Sequence, residues 1–447
     1  MLRQSVNNGK DVLPLPPQHI WASDPRTSAI RRTLLLRWAI ISISVWIVCF
    51  LVYLIFYGAS RYPERLTKHL HVILVDFDQE QAGTVFLQAF KGNPALGWIY
   101  RSPAYYQNDP DRLIHEVNDG NVWAAVYIKA GTTQLINSTI NSIFTTTYES
   151  TVPLNPTITF IYDEGRSISV PFYIIQPITN ALMGISARYS AILLNQLNQR
   201  LLSSSNGSIV LSINSVLIGP ALSNPLRYTV LNIHPAFSYA GTIGTTLGYL
   251  FLWVIAVAHV GLTIGITSPL IGKFKIIDII LFRLFYGLFQ GLIFAIIFSL
   301  CVLWFTGAPL HGIFVRYWLF NWLAIMTAIA INGTVTISFG DFAEFVLLIF
   351  LVLNLATGAN IIPLELSSRF YRIGYGLPLY QCMSAGKHFV FGSFTHLSLN
   401  VGVLLAWYFG ILGFILVITY YRGKKQEQKL LEKQRNGEES EEKENVD

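Results

Sequence analysis

The chain has 447 residues, of which 52% are hydrophobic and 13% charged, with a mean hydropathy of +0.47. Charged residues usually make up about a quarter of a soluble domain, so the composition excludes a large soluble enzyme and indicates an integral membrane protein. The net charge of +6 is small, and acidic and basic residues balance in the long polar segment, which argues against nucleic acid as a partner.

Residues 1–37 contain VLPLPPQ and read as a disordered tail. The first apolar run, 38–57 (Trp38 to Tyr57), carries no charge. It is long enough to cross a bilayer, too long for a signal-peptide core, and lacks a small-residue cleavage site, so it reads as an uncleaved anchor. Residues 58–240 alternate strand and helix patterns. HLHVILVDFD, NVWAAVYI, TITFIYDEG and RYTVLNIHP read as strands. EQAGTVFLQAF, the stretch opened by Asp109-Pro110, and Tyr173 to Leu202 read as helices. The expected fold of this region is mixed α/β. It contains no cysteine, since Cys49, Cys301 and Cys382 lie elsewhere, so its core must hold without a disulfide.

Residues 241–421 contain five further apolar segments: about Gly244 to Ile266, Leu284 to Trp304, Leu319 to Ile337, Phe345 to Ile362, and Leu397 to Tyr420. The fold class expected is therefore an α-helical polytopic membrane protein of six transmembrane helices, with a mixed α/β exoplasmic domain between helices 1 and 2. Lys and Arg flanks set the orientation. Arg26, Arg31, Arg32 and Arg37, then Lys273, Lys275 and Arg283, then Arg422, Lys424 and Lys425 fall on one side, which places both termini in the cytoplasm. Arg369, Arg372 and Lys387 run against this trend. The sequons at Asn137 and Asn206 lie in the segment assigned outside and are expected glycosylation sites; the sequon at Asn332 lies inside a span. Residues 422–447 form a charged cytoplasmic tail, basic first and acidic last.

No P-loop, H-E-x-x-H or G-x-S-x-G motif is present. No catalytic residue, cofactor or metal is expected, and the chain is not read as an enzyme. His69-x-His71 is read as two strand histidines and Asp76-Phe-Asp78 as a strand-end turn. Polar residues within the membrane runs include His259, Gln290, Asn332 and Asn354, expected mainly to join helices by hydrogen bonds. No Asp or Glu lies well inside any run. Glycine pairs 244/248, 261/265 and 287/291 allow close helix approach, either within one subunit or in a homodimer seam. IIDIILFR, with Asp278 and Arg283, is either a short interfacial helix or the start of the third span. Residues 363–396 are too aromatic for a plain loop and too interrupted by Gly374, Gly376 and Pro378 for one helix. They read as a re-entrant segment, a lid or a plug, in which Arg369 and Arg372 snorkel or pair with Glu365 and the tyrosines, including Tyr371 and Tyr375, sit at the headgroup interface.

VDFDQEQAG (Val75 to Gly83), NDGNVWAAVYI (Asn118 to Ile128) and IIPLELSSRFYRIGYGLPLYQC (Ile361 to Cys382), in the order span, outer domain, five spans, resemble the fungal nitrosoguanidine-resistance proteins. That family sits within the ABC-2-type permease-like group that includes bacterial phage-infection proteins. The resemblance implies a permease exporting toxic hydrophobic or amphipathic small molecules or lipids, in contact with the lipid bilayer. It also implies a separate ATPase bound at the loop Thr267 to Arg283. A non-transporting regulator or scaffold sensing lipid or stress is the alternative. The plasma membrane is the expected location, with an endomembrane as the alternative.

Overall fold

The computed structural model describes residues 25–59, 63–143, 155–203, 222–271, 274–308, 311–358 and 362–444. Lys273, Asn206 and Asn360 lie outside them. The chain forms two compact units, Met1–Leu54 and Ile55–Asp447. In the first, the described residues are those of helix α1 (Pro25–Ala59), whose final turns belong to the second. The helix starts at Pro25, so Arg26, Arg31, Arg32 and Arg37 sit on helical backbone ahead of the apolar run.

The second unit opens with a five-stranded sheet of order β2-β1-β3-β4-β5. Its strands are β1 (His71–Asp76), β2 (Gly97–Arg101), β3 (Ala124–Ile128), β4 (Ile158–Tyr162) and β5 (Tyr228–Asn232). All neighbours are parallel except β3 and β4, which are antiparallel. Helices α2 (Gln81–Phe90), α4 (Thr132–Ile143) and α5 (Gln176–Ser203) cover one face, where Val72, Leu74, Val126 and Phe160 meet Phe86, Ile136 and Tyr189. Helix α3 (Asp111–Asn118) covers the other, where Ile73, Val75, Ala125 and Ile161 meet Leu113 and Val117. Burial on both faces is why the central strands are continuous apolar runs without alternation.

The acidic turn after β1 is a structural knot. Asp76 Oδ1 accepts from the amides of Asp78 and Gln79. Asp78 accepts from the Gly83 amide at 3.2 Å, the Thr133 amide at 2.9 Å and the Thr133 hydroxyl at 2.5 Å. It thereby ties β1 to the starts of α2 and α4. Gly83 is required here, because a Cβ would stand 2.0 Å from Asp76 Oδ1. Among the described residues no group of His, Cys, Asp and Glu is arranged to hold a metal ion. Of the two histidines read as strand residues, only His71 is in β1; His69 ends a 3₁₀ turn (Thr67–His69) ahead of it, with its Nδ1 3.2 Å from the Glu365 carbonyl.

After the short α6 (Tyr239–Gly244) come α7 (Leu247–Thr267), α8 (Ile276–Thr306), α9 (Phe314–Phe339), α10 (Ala343–Gly358), α11 (Pro378–Phe391) and α12 (Leu397–Glu444). Among the described residues five helices are long and apolar enough to cross a membrane: the end of α1, α7, α8, α9 and α12. Helix α10 has 16 residues and rises only about 24 Å, less than the ~30 Å of a hydrocarbon core. Its Gly358 lies against the backbone of α11, where a Cβ would stand 2.9 Å from Tyr380 N. IIDIILFR is the first part of α8, continuous with the span. Helix α12 runs through the charged tail as far as Glu444.

Replacing Asp78 with Ala removes the acceptor from three donors, and a hydrogen bond to a charged group contributes about 1.5–3 kcal/mol. Asp78→Ala should therefore lower the thermal unfolding midpoint of the full-length protein in detergent, by the equivalent of about 3 kcal/mol. An unchanged midpoint would refute the role given to this turn.

Candidate functional site

The sheet meets the membrane helices where β4 ends. Asp163, 1% exposed, follows β4 and faces α11 and the turn after it. Its Oδ1 accepts from the Arg166 amide and the Ser393 hydroxyl, each at 3.2 Å. Its Oδ2 stands 3.2 Å from His234 Nδ1, an ion-pair contact whenever the imidazole is protonated. The next residue, Glu164, accepts from the Asn232 side chain at 2.7 Å and the Ala236 amide at 3.3 Å. Gly165 then passes between His234 and Ser393 so closely that a Cβ would stand 2.4 Å from Ser393 Oγ. Only glycine lets the two layers approach this far.

Lys387 of α11 is 5% exposed and donates to the Arg166 carbonyl at 3.3 Å. Burial pushes its pKa down to about 7, against the attraction of Asp163 and helped by the repulsion of Arg166. This placement explains why Lys387 breaks the charge bias read from the sequence: it is a junction group, not a flanking surface charge.

Arg166 leads from this junction into a cavity of about 290 Å³. Its guanidinium lies 4.0 Å above the Trp123 ring and donates to the Val122 carbonyl at 2.9 Å. Burial lowers the Arg166 pKa, opposed by attraction to Glu365 and Asp163. Glu365, Tyr375 and Tyr380 line the same cavity, with Asn400 from α12. Tyr375 is pushed up to about 12, by burial first and then by Glu365, so it is a neutral hydroxyl at physiological pH. The site thus offers a cation stacked on an indole, one carboxylate and two phenols. That set suits an amphipathic solute with a polar or charged end.

The residues singled out in segment 363–396 divide into three groups. Glu365 and Tyr375 line the cavity. Tyr371 and Pro378 are buried and structural. Tyr371 donates to Ile55 O at 2.8 Å and Ser367 to Ala59 O at 3.1 Å, which anchors the segment to the last turn of α1. Arg369 and Arg372 are exposed, and among the described residues neither lies within ion-pair distance of Glu365, whose charge attracts the Arg166 guanidinium. The segment consists of two 3₁₀ turns (Leu364–Leu366 and Arg369–Gly376) followed by α11. Pro378 opens α11, the Leu379 amide donates to Asn354 Oδ1 at 3.2 Å, and Gly392 ends the helix at φ 81°.

Among the other membrane polar groups, Asn321 and Asn354 form hydrogen bonds between helices, whereas Gln290 and Asn332 do not. Asn321 accepts from Tyr249 and donates to Ser299, each at 2.8 Å, linking α7, α9 and α8. Gln290 donates to the Tyr286 hydroxyl at 3.2 Å within α8. His259 stacks on Tyr286 with ring centroids 5.3 Å apart. Asn332 is fully buried with no hydrogen-bond partner for either amide atom, and nothing in the structure explains it. Gly244, Gly248, Gly287 and Gly291 all face neighbouring helices of the same chain, whereas Gly261 and Gly265 face open space. Lys275 and Asp278 are exposed at the start of α8, and Arg283 is half-buried. Asn137 is half-buried on α4.

Sequence reasoning missed Asp163, Arg166, His234 and Trp123 as site residues. Lys387, a charge in an apolar aromatic segment on the wrong side of the bias, was the available signal. For Lys387 the folded pKa of about 7 lies below the free value of about 10.5. The unfolded chain therefore binds the proton first as pH falls. Its contribution to stability is present at high pH, falls progressively from about pH 10.5 to about 7, and changes no further below. Thermal stability should rise between about pH 7 and 10, and Lys387→Met should flatten that rise. Equal slopes for the two proteins would contradict the assignment.

Comparison with known proteins agrees with the membrane reading. An uncharacterized endoplasmic reticulum membrane protein of Saccharomyces cerevisiae, YJR015W, is 23% identical over 468 residues, covering 95% of this chain and 87% of that protein. No solved structure matches the chain. The family described as protein of unknown function (DUF3533) matches residues 40–412. The chain is a membrane protein that belongs to this family.

Proposed function

We propose that this chain is a permease that exports toxic amphipathic small molecules or lipids, of the nitrosoguanidine-resistance and ABC-2-like kind that its motifs resemble. The observation that carries the proposal is the junction cavity. It combines the Arg166–Trp123 stack with Glu365 and Tyr375 between the sheet domain and the membrane helices. A solute with one charged and one apolar end satisfies both kinds of wall there. In this reading α10 serves as a sixth, short span, both termini are cytoplasmic and the sheet domain is exoplasmic or lumenal. The yeast relative's name favours an endomembrane over the plasma membrane. No ATP-binding motif lies on the chain, so energy comes from a separate ATPase or from the solute gradient.

A second reading, a non-transporting regulator that binds a lipid or solute in the same cavity, rests on the lack of mid-span carboxylates in the sequence.

Purified full-length protein in liposomes containing a fluorescent amphiphile separates these readings. Transport above protein-free liposomes, with a gradient or a candidate ATPase supplied, is the expected result. Arg166→Gln should reduce the rate about tenfold, the effect of losing one charge-assisted contact. Arg369→Ala with Arg372→Ala should leave it within about twofold, since neither lines the cavity. Binding of the probe without movement would favour the regulator.

A further inference from the structure

A second cavity system lies at the opposite end of the membrane helices, away from the sheet domain. A chamber of about 110 Å³ sits among α7, α8, α9 and α12, walled by apolar side chains such as Leu284, Ile329 and Leu412, with His259 at its edge. A cavity of about 160 Å³ lies beside it and shares Ile264, Ile280, Arg283, Ile337 and Thr419 as walls. The two are adjacent, with Arg283 in the wall of both. The second cavity is also lined by Arg422 of α12.

Among the described residues both guanidinium groups here lack an acidic partner. Arg283 donates from Nε to Thr267 Oγ1 at 2.7 Å. Arg422 donates to the Ile337 carbonyl and, at 2.8 Å, to the Ser338 carbonyl. All these acceptors are neutral. Among the described residues no carboxylate stands within ion-pair distance of either arginine. A half-buried guanidinium at the mouth of an apolar chamber, with no countercharge, is costly unless an anion joins it. Lys424 and Lys425 are exposed within one turn of Arg422 on α12, adding positive charge at the same end.

We infer that this cavity binds an anionic lipid, with its headgroup phosphate between Arg283 and Arg422 and one hydrocarbon chain directed toward His259. Guanidinium groups match phosphate geometry through paired N–H donors, and the apolar chamber matches an alkyl chain. The inference concerns binding at equilibrium and stands whether or not the chain moves a solute through its other cavity.

The test uses full-length protein reconstituted in nanodiscs of equal parts phosphatidic acid and phosphatidylcholine, followed by native mass spectrometry of retained lipid. Phosphatidic acid should be retained about tenfold over phosphatidylcholine. Arg283→Gln and Arg422→Gln should each abolish that preference, whereas Arg316→Gln, at the other end of α9, should keep it. Arg422 is exposed, so its variant serves if Arg283→Gln does not fold. Gly287 lines the chamber and has room for a Cβ, 3.9 Å from its nearest neighbours. Gly287→Leu should block the chamber and displace dodecyl phosphate. Dodecyl phosphate should compete for the site, and inorganic phosphate should not. Equal retention of the two lipids would overturn the inference, as would a preference that survives both glutamine variants. Competition by inorganic phosphate as strong as by dodecyl phosphate would overturn it too, because it would mean a free-phosphate site with no role for the chamber.

Discussion

One buried carboxylate, Asp163, holds the sheet domain to the membrane helices. Desolvating a carboxylate is expensive unless its lone pairs are met. Here the Arg166 amide, the Ser393 hydroxyl and the His234 ring surround it, two of them from elements far away in sequence. Two hydrogen bonds to Oδ1, and a 3.2 Å approach of the His234 ring to Oδ2 without a hydrogen bond, bring together the loop after β4, the segment after β5 and the turn after α11. Gly165 removes the side chain that would hold the layers apart. Lys387 becomes buried as a result, and the Arg166 side chain is directed past Trp123 into the cavity. The cavity is thus a by-product of how the domain is fastened.

The membrane helices obey a related constraint. The short apolar helix α10 and the interrupted segment that leads into α11 leave backbone groups at their ends that need partners. The chain meets them internally: Asn354 receives the amide at the start of α11, and Trp407 donates to the Gly376 carbonyl at 2.8 Å. Most of α11 is enclosed by protein, with Cys382, Met383 and Ala385 in the core shared with α7, α9 and α12. Broken helices enclosed in this way are a recurrent setting for solute sites in membrane transporters. That is the physical link between the packing and the permease reading.

Much of the fold was legible in the sequence, for identifiable reasons. The spans are long apolar runs, and the central strands are dense in Val, Ile and Ala. Two elements of the sheet domain escaped. β2, GWIYR, is a short edge strand that is only partly buried, so it carries little pattern. α4, TTQLINSTINSI, is rich in Thr, Ser and Asn, which are weak helix formers, and it holds through Ile136 and Ile140 against the sheet. The site was less legible. The aromatic segment Ser367 to Cys382 marked itself by composition, and Glu365 and Tyr375 do line the cavity. Arg369 and Arg372 drew attention as charges but are exposed, whereas the cation that shares the cavity with Glu365 is Arg166, about 200 residues earlier. No local pattern encodes a contact that distant.

Hydrogen exchange on the full-length Asp163→Ala variant tests the fastening most directly. Without the carboxylate, the amides of residues 163–167 and 388–396 should exchange at least about tenfold faster, while those of β1 and β3 keep their protection. Unchanged exchange across both segments would mean that the domain is held to the helices by something other than Asp163.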